Sequence, residues 1–134
     1  MKYLLDTNTC IRVLNGSNQG AIERFKQCQP GQIVLCSVVK AELLFGARRS
    51  ARVEFNLSRL KTFAAPLQSL PFDDRCAHDY GLIRADLSAQ GSPIGANDLM
   101  IAAIARAHDL TLVTHNSAEF SRVVGLRVED WEHT

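Results

Sequence analysis

Gly95-Ala96-Asn97-Asp98-Leu99-Met100-Ile101-Ala102-Ala103 reads as the opening of a helix that runs to about His108 and hands the chain to an apolar strand, Leu110-Thr111-Leu112-Val113-Thr114. Ser92, Pro93 and Gly95 form the turn signal that stops the preceding segment. Asp98 falls in the first helical turn, where unpaired N–H groups and the positive dipole end favour a carboxylate. Met100, Ala103, Ile104 and Ala107 recur at helical spacing and are expected to face a core, while Asp98 shares a face with the small Ala102 and Ala105. For a lone Asp here, capping or dipole stabilisation is the simpler reading. A larger role depends on other acids that the chain brings to the same place.

The same alternation extends outward in both directions. Tyr3-Leu4-Leu5 is a short buried strand ending at Asp6, and a helix carrying Ile11, Val13 and Leu14 closes at Asn15-Gly16. A second helix spans Gly20 to Gln29, and Ile33-Val34-Leu35-Cys36 is the next strand. Ser37 is expected to cap a helix from Val38 to about Arg49 whose apolar side includes Val39, Leu43 and Phe45. Residues 52–64 are helical by pattern, with Phe55, Leu60 and Phe63 available for packing. Leu67–Leu70 is a weak strand, and Asp73 or Asp74 opens a long helix to about Gln90. After the fourth strand come a helical turn at Ala118–Phe120 and a weak strand at Leu126–Val128, before Trp131. Strands alternating with helices predict an α/β fold, a central parallel sheet of four to five strands flanked by helices in three layers. Ligands of such sheets bind beyond the carboxyl ends of the strands.

The bulk numbers bound the function. With 134 residues, 46% hydrophobic and 22% charged, the chain reads as one globular domain with its own core. Nothing approaches the roughly eighteen apolar residues of a membrane span, and Asp6 comes too early for a signal peptide. A cytoplasmic protein is expected. The net charge of +1 leaves any nucleic-acid contact to local patches, of which Arg48, Arg49, Arg52, Arg59 and Lys61 are the candidate. Cys10, Cys28, Cys36 and Cys76 form no Cys-x-x-Cys pair, and the histidines form no helical pair. Reduced structural cysteines are therefore expected, not a zinc centre.

Three acids carry the chemistry. Asp6 follows three apolar residues at a strand end, where it can both cap a helix and bind a metal. Glu42 lies at the margin of the apolar side of its helix, where a charge needs a partner. With Asp98, these acids gather at one sheet edge, joined by Asn116 and Glu119 from the connection after the fourth strand. Carboxylates without a matching cation either hold protons or bind a metal ion. Oxygen ligands alone favour Mg²⁺, with Mn²⁺ as a substitute, and phosphodiester hydrolysis is the natural chemistry for such a site.

Leu4-Leu5-Asp6-Thr7-Asn8, Ala41-Glu42-Leu43-Leu44-Phe45-Gly46, Ile94-Gly95-Ala96-Asn97-Asp98 and Leu112-Val113-Thr114-His115-Asn116-Ser117-Ala118-Glu119-Phe120 occur in an order that resembles the PIN-domain ribonucleases. More narrowly it resembles the VapC-type toxins of bacterial toxin–antitoxin pairs, whose ending Arg122–Trp131 also fits. The resemblance implies one PIN domain over residues 1–134, acting as a Mg²⁺-dependent endoribonuclease. It implies a dimer directed at transfer or ribosomal RNA and silenced by a VapB-type antitoxin, whose tail folds into the groove beside the acids and inserts a basic side chain. By position, Asp6 and Asp98 are the primary metal ligands and Glu42 completes the cluster. The family's fourth acid falls on neutral Asn116, with Glu119 three residues on, so either residue can fill that place, and Thr114 and Asn8 are expected to orient the carboxylates. Arg12, Arg48 and Arg49 are candidate phosphate contacts, and the exposed faces of the helices at residues 38–64 are the candidate dimer surface. The competing reading is a catalytically inactive PIN-like module that binds RNA or a partner. A phospho-receiver would need an acidic pair after strand one, and an aspartate-nucleophile phosphatase would need an acid where Asn8 stands.

Overall fold

A computed structural model describes residues 2–132 of the chain. Five strands, β1 (Tyr3–Leu5), β2 (Ile33–Cys36), β3 (Gln68–Leu70), β4 (Thr111–Val113) and β5 (Arg127–Glu129), form one sheet in the order β3-β2-β1-β4-β5. Every pairing is parallel. Helices α1 (Thr7–Asn15), α2 (Gln19–Gln27), α3 (Ser37–Arg48), α4 (Val53–Ala64), α5 (Asp74–Ala89), α6 (Ala96–Ala107) and α7 (Ser117–Phe120) flank it. This is the α/β architecture expected, with the fifth strand present one residue later than its pattern suggested.

The sheet is organised about β1. Tyr3 lies opposite Ile33 and Thr111, and Leu4 opposite Val34 and Leu112. Leu4, Leu5, Val34, Leu35, Leu112 and Val113 are at most 1% exposed, so the central strands are apolar without alternation because helices cover both faces. The edge strands carry exposed Gln68 and Arg127 instead, which suits strands with one unpaired side. From β1 the chain builds outward through β2 to β3, then returns to the other side of β1 for β4 and β5. The strand order therefore reverses between β1 and β4, and in such sheets ligands bind beyond the carboxyl ends at that point.

Three local expectations change. Ser37 is the first residue of α3, the cap position belongs to Cys36, and no side chain caps the helix. Phe45 is 62% exposed, because among the described residues no element covers the side of α3 it occupies. On α6 the buried residues are Leu99, Ile101, Ala102, Ala103, Ile104 and Ala105, with Met100 and Ala107 only half-buried. This helix packs against α5, α3 and β4, so it is enclosed on several sides and a single apolar stripe does not describe it.

Candidate active site

Asp6 sits where β1 turns directly into α1. Its extended backbone (φ −74°, ψ 173°) makes it the helix cap, and its Oδ1 accepts the Thr9 N–H at 2.8 Å. Its own N–H donates to the Val113 carbonyl at 3.0 Å, tying the cap to the end of β4. The carboxylate is 8% exposed, and its second oxygen is left for another partner.

Glu42 lies half-buried on the second turn of α3. Thr7 Oγ1 donates to its Oε1 at 2.5 Å, and the Asn97 amide donates to its Oε2 at 3.4 Å. One glutamate thus joins the starts of α1 and α6. Thr7 and Asn97 each directly adjoin one of the acids in the chain, Thr7 after Asp6 and Asn97 before Asp98, but neither carries a sequence signal for this role. Asn8 is exposed on α1, and the donors that reach Glu42 come from its neighbour Thr7 and from Asn97.

Asp98 is the third residue of α6, whose cap Gly95 offers no side chain. Its carboxyl is pushed up from 3.8 to about 6, first by burial and then by the negative charges of Glu119, Glu42 and Asp6. The fold therefore brings Glu119, Glu42 and Asp6 within electrostatic reach of Asp98, and these charges acting on it are all negative. Glu119 is held by a short relay. Buried Thr114 accepts the Asn116 N–H on Oγ1 at 3.0 Å, and the Asn116 side-chain amide donates to Glu119 Oε2. Thr114 thus orients the turn that carries Asn116, and Asn116 orients the acid.

The candidate phosphate contacts are placed differently. Arg12 pairs with Glu132 at 3.4 Å, and Arg59 is spent on the Leu14 carbonyl. Arg48 and Arg49 are exposed, with the Arg49 guanidinium 4.8 Å from the centre of the Phe45 ring.

Carboxylate oxygens alone, around a half-buried Asp98 whose charge is disfavoured first by burial and then by its acidic neighbours, fit a hard divalent cation. No histidine or cysteine acts on this group, so the donor set does not favour zinc.

The chain matches the PIN domain family over residues 3–126. It is 42% identical over 131 residues to the tRNA(fMet)-specific endonuclease VapC of Shigella flexneri, covering 98% of each chain. Ribonuclease VapC2 of Haemophilus influenzae is 40% identical over the same length and coverage. VapBC2 from Rickettsia felis, solved bound to a DNA fragment from its promoter, superposes with a TM-score of 0.91 at 36% identity, covering 98% of this chain and 99% of that one. PIN-domain nucleases generally depend on divalent metal ions, which is the class of ion this cluster of acids suits. The chain belongs to the PIN-domain family, among its VapC ribonucleases.

Proposed function

We propose that this chain is the toxin of a toxin–antitoxin pair, a Mg²⁺-dependent endoribonuclease that cuts a transfer-RNA loop and thereby blocks translation. Asp98 carries the reading: it lies half-buried at the start of α6, its carboxyl pushed up to about 6 first by burial and then by the charges of three other acids.

Asp6 and Asp98 hold the ion in this reading, with Glu42 and Glu119 completing its surroundings. When bound, Mg²⁺ (or Mn²⁺) supplies positive charge against the phosphate and the departing oxygen and acidifies the attacking water. The chain's own part is positioning. The Thr9 N–H fixes one oxygen of Asp6 and so aims the other. Thr7 and Asn97 hold both oxygens of Glu42, keeping it oriented as a proton acceptor. Asn116 holds Glu119.

An unpaired loop is the substrate such a site suits, because its bases can splay away from the backbone. Transfer RNA is the class we propose, initiator tRNA first, given the 42% identity to a tRNA(fMet)-specific endonuclease. The antitoxin we propose is VapB-type. It would seat apolar side chains in the cleft of about 220 Å³ formed by Ile11, Leu14, Leu43, Ala47 and Leu60, and present a basic group to Glu42 at its rim. A homodimer would cover the outer side of α3 and α4, where Leu44, Phe45 and Phe55 are 46–62% exposed. Among the described residues no helix is long and apolar enough to cross a membrane, and we place the pair in the cytoplasm.

The deciding experiment incubates the purified chain with total bacterial RNA, with Mg²⁺ or with EDTA, and maps new ends by sequencing. Cuts at one or a few tRNA loop positions, only with metal, are expected. Cleavage that survives EDTA removes the mechanism, and RNA binding without cleavage favours the inactive module.

A pH dependence follows from Asp98. Its proton competes with the cation, so below about pH 6 the Mg²⁺ needed for half-maximal cleavage should climb, approaching about tenfold per pH unit for one competing proton. Excess Mg²⁺ should restore the rate. Mg²⁺ titrations on either side of that pH test this, and an unchanged requirement would detach Asp98 from the metal.

A further inference from the structure

A second group of chemically capable side chains lies at the other end of α6. Asp73 caps α5, its Oδ1 accepting the Cys76 N–H at 3.1 Å. Cys76 is 0% exposed, with its Sγ 3.8 Å from the Pro71 carbonyl. His108 is the residue that closes α6. The antiparallel packing of α5 on α6 brings them together, fixed by the Arg106–Asp79 ion pair at 3.0 Å and by Arg75 on the Ala107 carbonyl. One ligand atom from each of Asp73, Cys76 and His108 lies within 4.8 Å of the other two, the only such group of His, Cys, Asp or Glu among the described residues. His108 is ten residues beyond Asp98, about 15 Å along the helix, so this group is separate from the acid cluster.

His108 Nε2 supplies the independent observation. It is buried and has no hydrogen-bond partner among the described residues. A buried ring nitrogen without a partner is costly and rare. Placed beside a thiol and a carboxylate, it has the surroundings of a metal ligand.

We propose that Asp73, Cys76 and His108 form a zinc site, distinct from the Mg²⁺ site, which clamps the start of α5 to the end of α6. Thiolate, imidazole and carboxylate together are the borderline-soft donors that select Zn²⁺ over Mg²⁺. Zinc bonds of roughly 2.0–2.3 Å ask only that the three donors draw in slightly from their present spacing. Asp73 can cap and ligate together, since Oδ1 serves the helix and Oδ2 is left for the ion. Cys76 releases its proton to solvent on binding. The exposed Asp73 side admits the ion and leaves the fourth position to water. The spacing of cysteines and histidines along the chain gives no hint of this, because His108 joins the pair on α5 only through the packing of two helices.

Cobalt is the probe. The full chain, reduced and in excess Mg²⁺ to occupy the acids, is titrated with Co²⁺ and then with Zn²⁺. About one equivalent of Co²⁺ should produce a thiolate-to-cobalt charge-transfer band that Zn²⁺ displaces, and Zn²⁺ should raise the melting temperature. Cys76→Ser should lose the band. His108→Gln should weaken Zn²⁺ binding by more than the about 10–100-fold typical of losing an outer-shell partner, whereas Asp6→Asn should leave band and affinity unchanged. Because Cys76 is buried and serine there can fail to fold, the half-buried His108 gives a second decision. The proposal is overturned by no band in the native chain, by a band surviving Cys76→Ser, or by affinity unchanged in His108→Gln or lost in Asp6→Asn.

Discussion

Asp98→Asn is expected to lower RNA cleavage by about 10³-fold while making the metal-free protein more stable. The two effects have one cause. Asp98 is half-buried and held among three other acids, so its charge is useful with a cation present and costly without one. The sign follows from linkage: the carboxyl binds its proton more tightly folded, at about 6, than at its ordinary 3.8. Stability is therefore lost as pH rises between those values, and the whole cost is present above about pH 6. A shift of this size corresponds to roughly 3 kcal/mol before screening, and a half-buried carboxyl retains about half. Against it stands the dipole contribution of an acid in the first turn, about 0.3–1 kcal/mol, which asparagine forfeits. The cost of the charge, from burial first and repulsion second, wins by about 1 kcal/mol, or roughly 3–5 °C in melting temperature for a chain of this size. Calorimetry in EDTA at neutral pH should show that gain, and near pH 4 it should shrink away. Mg²⁺ should then stabilise the native chain and not the variant. A variant less stable than the native chain at neutral pH without metal would return Asp98 to the simpler role of serving its helix.

How far the sequence reveals this arrangement depends on the range of each interaction. Asp6 is legible because three apolar residues lead straight to it and a strand end in a parallel sheet is where ligands bind. The position of Glu42 at the margin of an apolar helix side is local information too. Thr7 and Asn97, which hold Glu42, are not legible, because they approach from helices 35 and 55 residues away and nothing in local periodicity reports that. The enclosure of α6 fails to show for a related reason: its packing against α5, α3 and β4 buries Ile101 and Ala105, positions that a one-sided helix would expose. Phe45 errs the other way. Two residues past Leu43, it falls on the opposite side of α3 from buried Val39, Leu43 and Ala47, and it is exposed.

Exchanging Asn116 and Glu119 should decide which of them supplies the fourth acid. In the structure Asn116 donates and Glu119 accepts, with Thr114 fixing the backbone beneath them. Glu119 is also the first of the neighbouring charges that raise Asp98, so its carboxylate faces the cluster electrostatically. Glu119→Gln is therefore expected to lower cleavage by about 10–100-fold, the usual effect of losing a partner that tunes a metal site. It should also move the pH threshold of the Mg²⁺ requirement downward, because Asp98 then carries less repulsion. Asn116→Asp alone replaces a donor with a second negative charge beside Glu119 and should also lower activity. The double variant Asn116→Asp with Glu119→Gln restores one donor and one acceptor with their positions exchanged, and puts the acid where the family pattern has it. Recovery to within about tenfold of the native rate is expected, on the scale of outer-shell effects. Paired measurements of rate and Mg²⁺ requirement separate the outcomes. If Glu119→Gln cleaves as well as the native chain at an unchanged pH threshold, Glu119 only braces the turn. If the double variant stays as poor as the single ones, the site needs its fourth carboxylate at the longer reach of Glu119, three residues beyond the end the strand offers.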